Sequence, residues 1–231
     1  MTGKISTESL GNLKLLLHTM IAVIGIVSIP LHIFFSPEPS ISITKFTIHS
    51  NIIVTIIFVV STYTLSVKKK ESRMLDLCKN AALIYMMVVL ATYHFILSSG
   101  GEYSGIRVTT NFTLHYVIPI LVLLNWMIFE EKKWYSYKLI IAWLAFPILY
   151  GGVSLLRGMY DGFYPYFFLN PNGHIPEGVG SYTNVALIIA AFTLVYCVLG
   201  FVLIVVNRVL VKCKNERLLQ NTREVKGGLH K

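Results

Sequence analysis

Charge is what this sequence has least of. Asp, Glu, Lys and Arg make up 13% of its 231 residues, about half the share of an ordinary soluble domain. The deficit is uneven, with 11 acidic residues against 20 basic ones and a net charge of +9. Cysteine is scarce as well: Cys78, Cys197 and Cys213 are an odd set of 3 with no Cys-x-x-Cys spacing. That excludes a disulfide framework and a clustered zinc site. Apolar residues fill the space, at 55% of the chain, and the mean hydropathy is +0.65. This balance excludes a disordered chain, a collagen-like chain and an ordinary soluble domain. It points to an all-α, polytopic membrane protein.

A spanning helix needs about 20 mostly apolar residues. The stretches 13–35, 46–67, 76–98, 111–130, 137–156 and 182–209 meet that requirement. Residues 1–210 are therefore expected to form one six-helix transmembrane domain, followed by a basic tail over 211–231. The first stretch is too long for a signal-peptide core and lacks a small-x-small cleavage pattern, so it counts as a retained span. The last is long enough to tilt or to extend past the bilayer. With the N-terminus inside, only Lys45, Arg107 and Arg157 of the 20 cations fall on the outer side. The positive-inside rule then makes both termini cytoplasmic. The basic surplus is a topology signal, with room for contact with anionic lipid headgroups. No nucleic-acid partner is expected, because the tail is short and has no interleaved aromatics. Ile- and Lys-rich usage and short loops suit a bacterial plasma membrane.

Polar groups inside a membrane are costly, so they start as functional candidates. Thr47, Ser50 and Asn51 open the second span on one helical face. His49 points elsewhere. Asn111 and His115 share a face at the head of the fourth span, and Pro119 lacks the N–H that would bond the His115 carbonyl. His94 ends the third span and Arg157 follows the fifth. All of these reach the same outer layer, Thr47 and His115 within about one turn of the surface at 1.5 Å per residue. At the cytoplasmic ends only His18 is comparable. The outer loops 36–45 and 99–110 are short. The loop 157–181 is rich in Gly, Pro and aromatics, suited to an interfacial belt or to a lid over a cavity. A structural reading competes throughout, since Ser, Thr and Asn often join membrane helices by hydrogen bonds worth about 0.6–2 kcal/mol.

The chain resembles the androgen-induced and androgen-dependent membrane proteins of animals, and more closely their bacterial six-span relatives. The resembling residues are Phe46-Thr47 with Ser50-Asn51, Asn111 through Leu124, Trp143 with Pro147-Ile148-Leu149-Tyr150, Arg157-Gly158, and Gly162-Phe163-Tyr164-Pro165-Tyr166-Phe167-Phe168-Leu169. They run in order over residues 13–210. The resemblance implies an intramembrane hydrolase of lipid esters, notably fatty acid esters of hydroxy fatty acids, with a threonine nucleophile matching Thr47 and a histidine matching His115. His49, near the threonine, is a departure and leaves the identity of the base open.

The expected chemistry follows from these residues. A threonine hydroxyl is a weak nucleophile and needs a base within hydrogen-bond reach, a role for His115. Asn51, Asn111 or His94 would support the oxyanion, and Arg157 would suit a substrate carboxylate. The expected partner is a membrane lipid or a fatty-acid-derived ester, with no cofactor and no metal. The alternative is a non-enzymatic protein that binds or transports a lipid or small acid. Further outsiders are a haem between His94 and His115 and a metal held by His49, His94 and His115.

Overall fold

The computed structural model describes residues 7–68, 70–98 and 103–228, with side chains as far as Leu218. Lys4, Lys69, Lys231, the start of the 99–110 loop and the side chains of Arg223 and Lys226 lie outside the described residues. Helix α1 spans Thr7–Phe34 and is followed by a short α2, Pro39–Ser42. Helix α3 spans Phe46–Lys68, and α4, Arg73–Thr92, runs on through a π-helical turn at Tyr93–Leu97. Helix α5, Ile106–Phe112, passes through a second π-helical turn, Thr113–Val117, into α6, Ile118–Ile128. Helices α7, Leu139–Asp161, and α8, Tyr182–Gly228, complete the bundle. No strand occurs among the described residues, and 6 helices are long and apolar enough to cross a membrane. The protein is an all-helical, integral membrane bundle.

Two helix boundaries differ from the expected spans for visible reasons. The fourth span begins at Ile106 rather than 111. Arg107, inside its first turn, turns toward His32 of α1 and the Tyr103 ring, so its charge does not stop the helix. The fifth span runs to Asp161 rather than 156. Arg157 and Asp161 pair one turn apart at 3.0 Å, and Gly162, at φ 77°, ends the helix in the left-handed conformation.

The core is formed by fully buried residues such as Ile21, Val54, Phe58, Met86, Leu114 and Ile118. Helices α1 and α3 approach closely because residue 25 is glycine, where a Cβ would lie 2.0 Å from Thr55 Oγ1. Helix α7 is the most peripheral and turns Ile141, Leu149 and Leu156 outward, as a lipid-facing helix does. Its Pro147 cannot donate to the Trp143 carbonyl. The Tyr85 hydroxyl of α4 donates to that carbonyl instead, at 2.9 Å.

Sequence alone points to only His18 at the end of the bundle where α1 begins, but the structure builds an ionic layer around it. Glu71, in the turn before α4, accepts from Lys14 at 2.5 Å and from Lys79 at 2.8 Å. Lys79, 2% exposed, also reaches Glu130 at 2.6 Å, and Lys133 pairs with Asp76. His18 contacts Ser61 Oγ and Asn125 Oδ1, each at 2.6 Å. Ser61 in turn donates to Glu71. Burial alone would raise the Glu71 carboxyl, but Lys79, Lys14 and Ser61 outweigh it and hold the group down to about 2.

Candidate active site

At the opposite end of the bundle the polar layer is built differently. The N–H of Ile118 bonds the Thr113 carbonyl across the π-helical turn. The Leu114 carbonyl would need the next residue as its donor, and that residue is Pro119, which has no N–H. Asn51 of α3 fills the gap: its Nδ2 donates to Leu114 O at 3.3 Å and to Thr47 O at 2.8 Å. One amide thus fastens the head of α3 to the distorted turn that carries His115. Single π-helical turns recur at functional sites because they re-aim side chains.

Across this junction Thr47 Oγ1 lies 3.1 Å from His115 Nε2. The other ring nitrogen, Nδ1, lies 2.9 Å from the Asn111 carbonyl. A carbonyl can only accept, so Nδ1 carries the proton and Nε2 is the acceptor. The Thr47 hydroxyl therefore donates to His115, the polarity a general base requires. The imidazole is held flat by Tyr93, whose ring stacks on it with centroids 3.9 Å apart. Asn111 Nδ2 donates to the Tyr93 hydroxyl at 2.5 Å and holds that ring in turn. Thr47 is 8% and His115 6% exposed.

Thr47 borders a cavity of about 310 Å³, otherwise walled mostly by apolar residues of α4, α7 and α8. The 157–181 loop folds over it. Gly158 permits the fold, since a Cβ there would sit 2.0 Å from the Tyr164 ring. Tyr166, Phe168 and Leu169 then become part of the cavity wall. Lys45 fixes the loop by donating to the Pro165 carbonyl, with its ammonium 4.8 Å from the centre of the Tyr166 ring. Burial lowers the Lys45 ammonium, and Glu38 counters only part of that. Burial pushes the Tyr166 hydroxyl up to about 12, while its hydrogen bonding with Thr47 pulls the other way. Tyr166 is thus a neutral phenol beside the Thr47 hydroxyl. The sequence places Tyr166 in a motif without indicating a role, and it does not mark Tyr93 or Lys45, because nothing in it tells which aromatic stacks on the imidazole or where the loop lands.

The structure gathers Thr47, His115, Asn51 and Asn111 but leaves two expected site residues outside. Asn51 commits both of its amide hydrogens to the Thr47 and Leu114 carbonyls, and Asn111 gives one of its two to Tyr93, so both brace the pair. His94 is exposed on the outside of the bundle and bonds Tyr116 OH at 3.1 Å. It adjoins Tyr93, and neighbours on a helix point about 100° apart; with Tyr93 turned in, His94 turns out. Arg157 is exposed, bound to Asp161 and lying 4.4 Å over the Phe163 ring. His49 packs edge-on to Tyr150, with centroids 5.7 Å apart, and the hydroxyl bond of Thr47 goes to His115.

His94 therefore forms no facing pair with His115 for a haem. Among the described residues, the group of carboxylates close enough to share a metal is Glu71, Asp76 and Glu130, and lysines already neutralise it. No protein-family profile, curated protein or solved structure matches this chain. The likeness to the androgen-induced family accordingly remains a resemblance carried by the residues quoted above.

Proposed function

We propose that the protein is an intramembrane hydrolase of lipid esters, working near the extracytoplasmic face of a bacterial plasma membrane. The observation that carries this reading is a threonine hydroxyl that borders an apolar cavity and donates to a buried histidine. Thr47 Oγ1 attacks the ester carbonyl carbon while His115 Nε2 takes its proton. The alcohol leaves with that proton, and an acyl-threonine remains. Water then attacks the acyl group and gives a proton to His115, which returns it to Thr47 Oγ1 as the acyl–oxygen bond breaks and the fatty acid departs. The Tyr166 hydroxyl supplies a hydrogen bond to the oxyanion. The Asn111 carbonyl holds the imidazole in the productive tautomer. A neutral carbonyl stabilises the imidazolium less than a carboxylate would, so modest turnover is expected.

The test is hydrolysis of lipid esters in detergent by wild type, Thr47→Ala and His115→Ala. Each variant should lose activity about a thousandfold. Folded variants that hydrolyse at the wild-type rate overturn the mechanism. The same apolar cavity also suits a carrier that binds a lipid or a small acid without cleaving it. Saturable binding by wild type with no product, and little change in affinity for Thr47→Ala, would select that reading.

A further inference from the structure

Most glycines that meet a neighbour in this bundle have a packing reason. A Cβ at Gly25 would strike Thr55, one at Gly158 would strike Tyr164, and one at Gly200 would press on Ile140 at 3.2 Å. Gly151 and Gly152 differ. They lie in the middle of α7, where each glycine costs a helix about 1 kcal/mol relative to alanine, yet a Cβ on either would meet no atom within 4 Å. Among the described residues, no neighbouring element needs them to be small. Both instead line the cavity that Thr47 borders, in a stripe with Leu144, Ile148 and Leu155 at helical spacing. Phe192 and Tyr196 of α8 form another wall. At about 310 Å³ the space sits at the small end of ligand pockets.

We infer that Gly151 and Gly152 keep open a slot for a single unbranched acyl chain and set the length and bulk of chain the site accepts. This rests on reading Thr47 and His115 as an ester-cleaving pair, and it makes the acyl group a fatty acid held along the α7 backbone. The chain reaches the slot from an apolar bilayer, so burying it gains little from leaving water. Selection therefore works by steric exclusion, which a side chain added at Gly152 imposes directly.

The experiment presents palmitoyl and octanoyl esters of one alcohol together in the same detergent micelles and reads the product ratio. Gly152→Leu should lower the palmitoyl-to-octanoyl ratio about tenfold or more. The double variant Gly151→Ala/Gly152→Ala should shift it the same way by a smaller factor, and it covers the case in which leucine prevents folding. Val153→Leu, on the exposed face of α7, should leave it unchanged. A second readout needs no hydrolysis: a diazirine-bearing palmitic acid should label α7 and α8 peptides of wild type, competed by palmitate, and Gly152→Leu should lose that labelling. If the glycine variants hydrolyse with an unchanged ratio and label normally, the slot is wrong and the ester reading stands. If wild type cleaves nothing while Gly152→Leu loses labelling, the slot stands and the ester reading falls.

Discussion

Three buried histidines in this bundle sit against a hydroxyl, and the shortest contact belongs to the one least suited to chemistry. His18 lies 2.6 Å from Ser61, His32 3.0 Å from Thr110 and His115 3.1 Å from Thr47. The proton distinguishes them. Ser61 donates to Glu71, so its hydrogen is committed to a carboxylate. Thr110 donates to the Arg107 carbonyl at 3.4 Å, and His32 Nε2 faces the Arg107 guanidinium, which leaves His32 Nδ1 as the donor to Thr110. Only Thr47 gives its proton to the ring. Only Thr47, of the three hydroxyls, also borders the cavity. A histidine–hydroxyl distance read alone would choose His18, whose serine gives its proton to a carboxylate instead.

The sharpest way to break this comparison is to remove each hydroxyl in turn. Thr47→Ala should lower ester hydrolysis about a thousandfold and cost about 1–3 kcal/mol of stability, because His115 Nε2 loses its buried partner. Ser61→Ala should cost a similar amount, because Glu71 and His18 lose a buried partner, yet leave hydrolysis per folded molecule unchanged. Activity that followed Ser61 and ignored Thr47 would reverse the assignment of the two ends.

The ionic layer should yield the next largest effect. Lys79→Met leaves Glu71 and Glu130 facing each other with Lys14 as their main counter-ion. Breaking a buried pair this way costs about 3–5 kcal/mol, seen as a lowered Tm in detergent. A milder probe of the same layer is acid. The Glu71 carboxyl is held at about 2 against an ordinary 4.5. Its ionised form therefore adds stability above pH 4.5, and that stability is lost as pH falls from 4.5 through 2. Tm measured across that window should drop in wild type and drop less in Lys79→Met. An equal drop in both would show that Lys79 is not what holds Glu71 ionised.

The two ends also differ in how far they were legible from sequence. Hydropathy alone carries the six helices, because a bilayer demands long apolar runs. Depth along the helices suggests a shared layer for Thr47 and His115 because their spans begin on the same side, but the start of the fourth span at Ile106 puts His115 nine residues in, against one for Thr47. Depth does not carry rotation about the axis. The π-helical turn at Tyr93–Leu97 has no signature such as the proline that marks its counterpart, so depth alone offers His94 where Tyr93 holds the inward position. The ionic layer was hidden for another reason. Glu71, Asp76 and Glu130 read as ordinary loop and helix-end charges until the fold brings their two segments, and Lys14 of α1, to one point.

The smallest expected effects test that rotation most directly. His94→Ala removes an exposed imidazole bonded to Tyr116, and Arg157→Ala breaks an exposed ion pair with Asp161. Surface pairs of this kind contribute about 0–1 kcal/mol, so both variants should fold normally. Neither side chain faces the Thr47–His115 pair, so kcat and KM for lipid esters should stay at wild-type values. Tyr93→Ala is the matching inward change: it strips the ring from His115 and should lower kcat by loosening the imidazole. A fall in kcat for His94→Ala with none for Tyr93→Ala would mean that α4 presents its other face to the site.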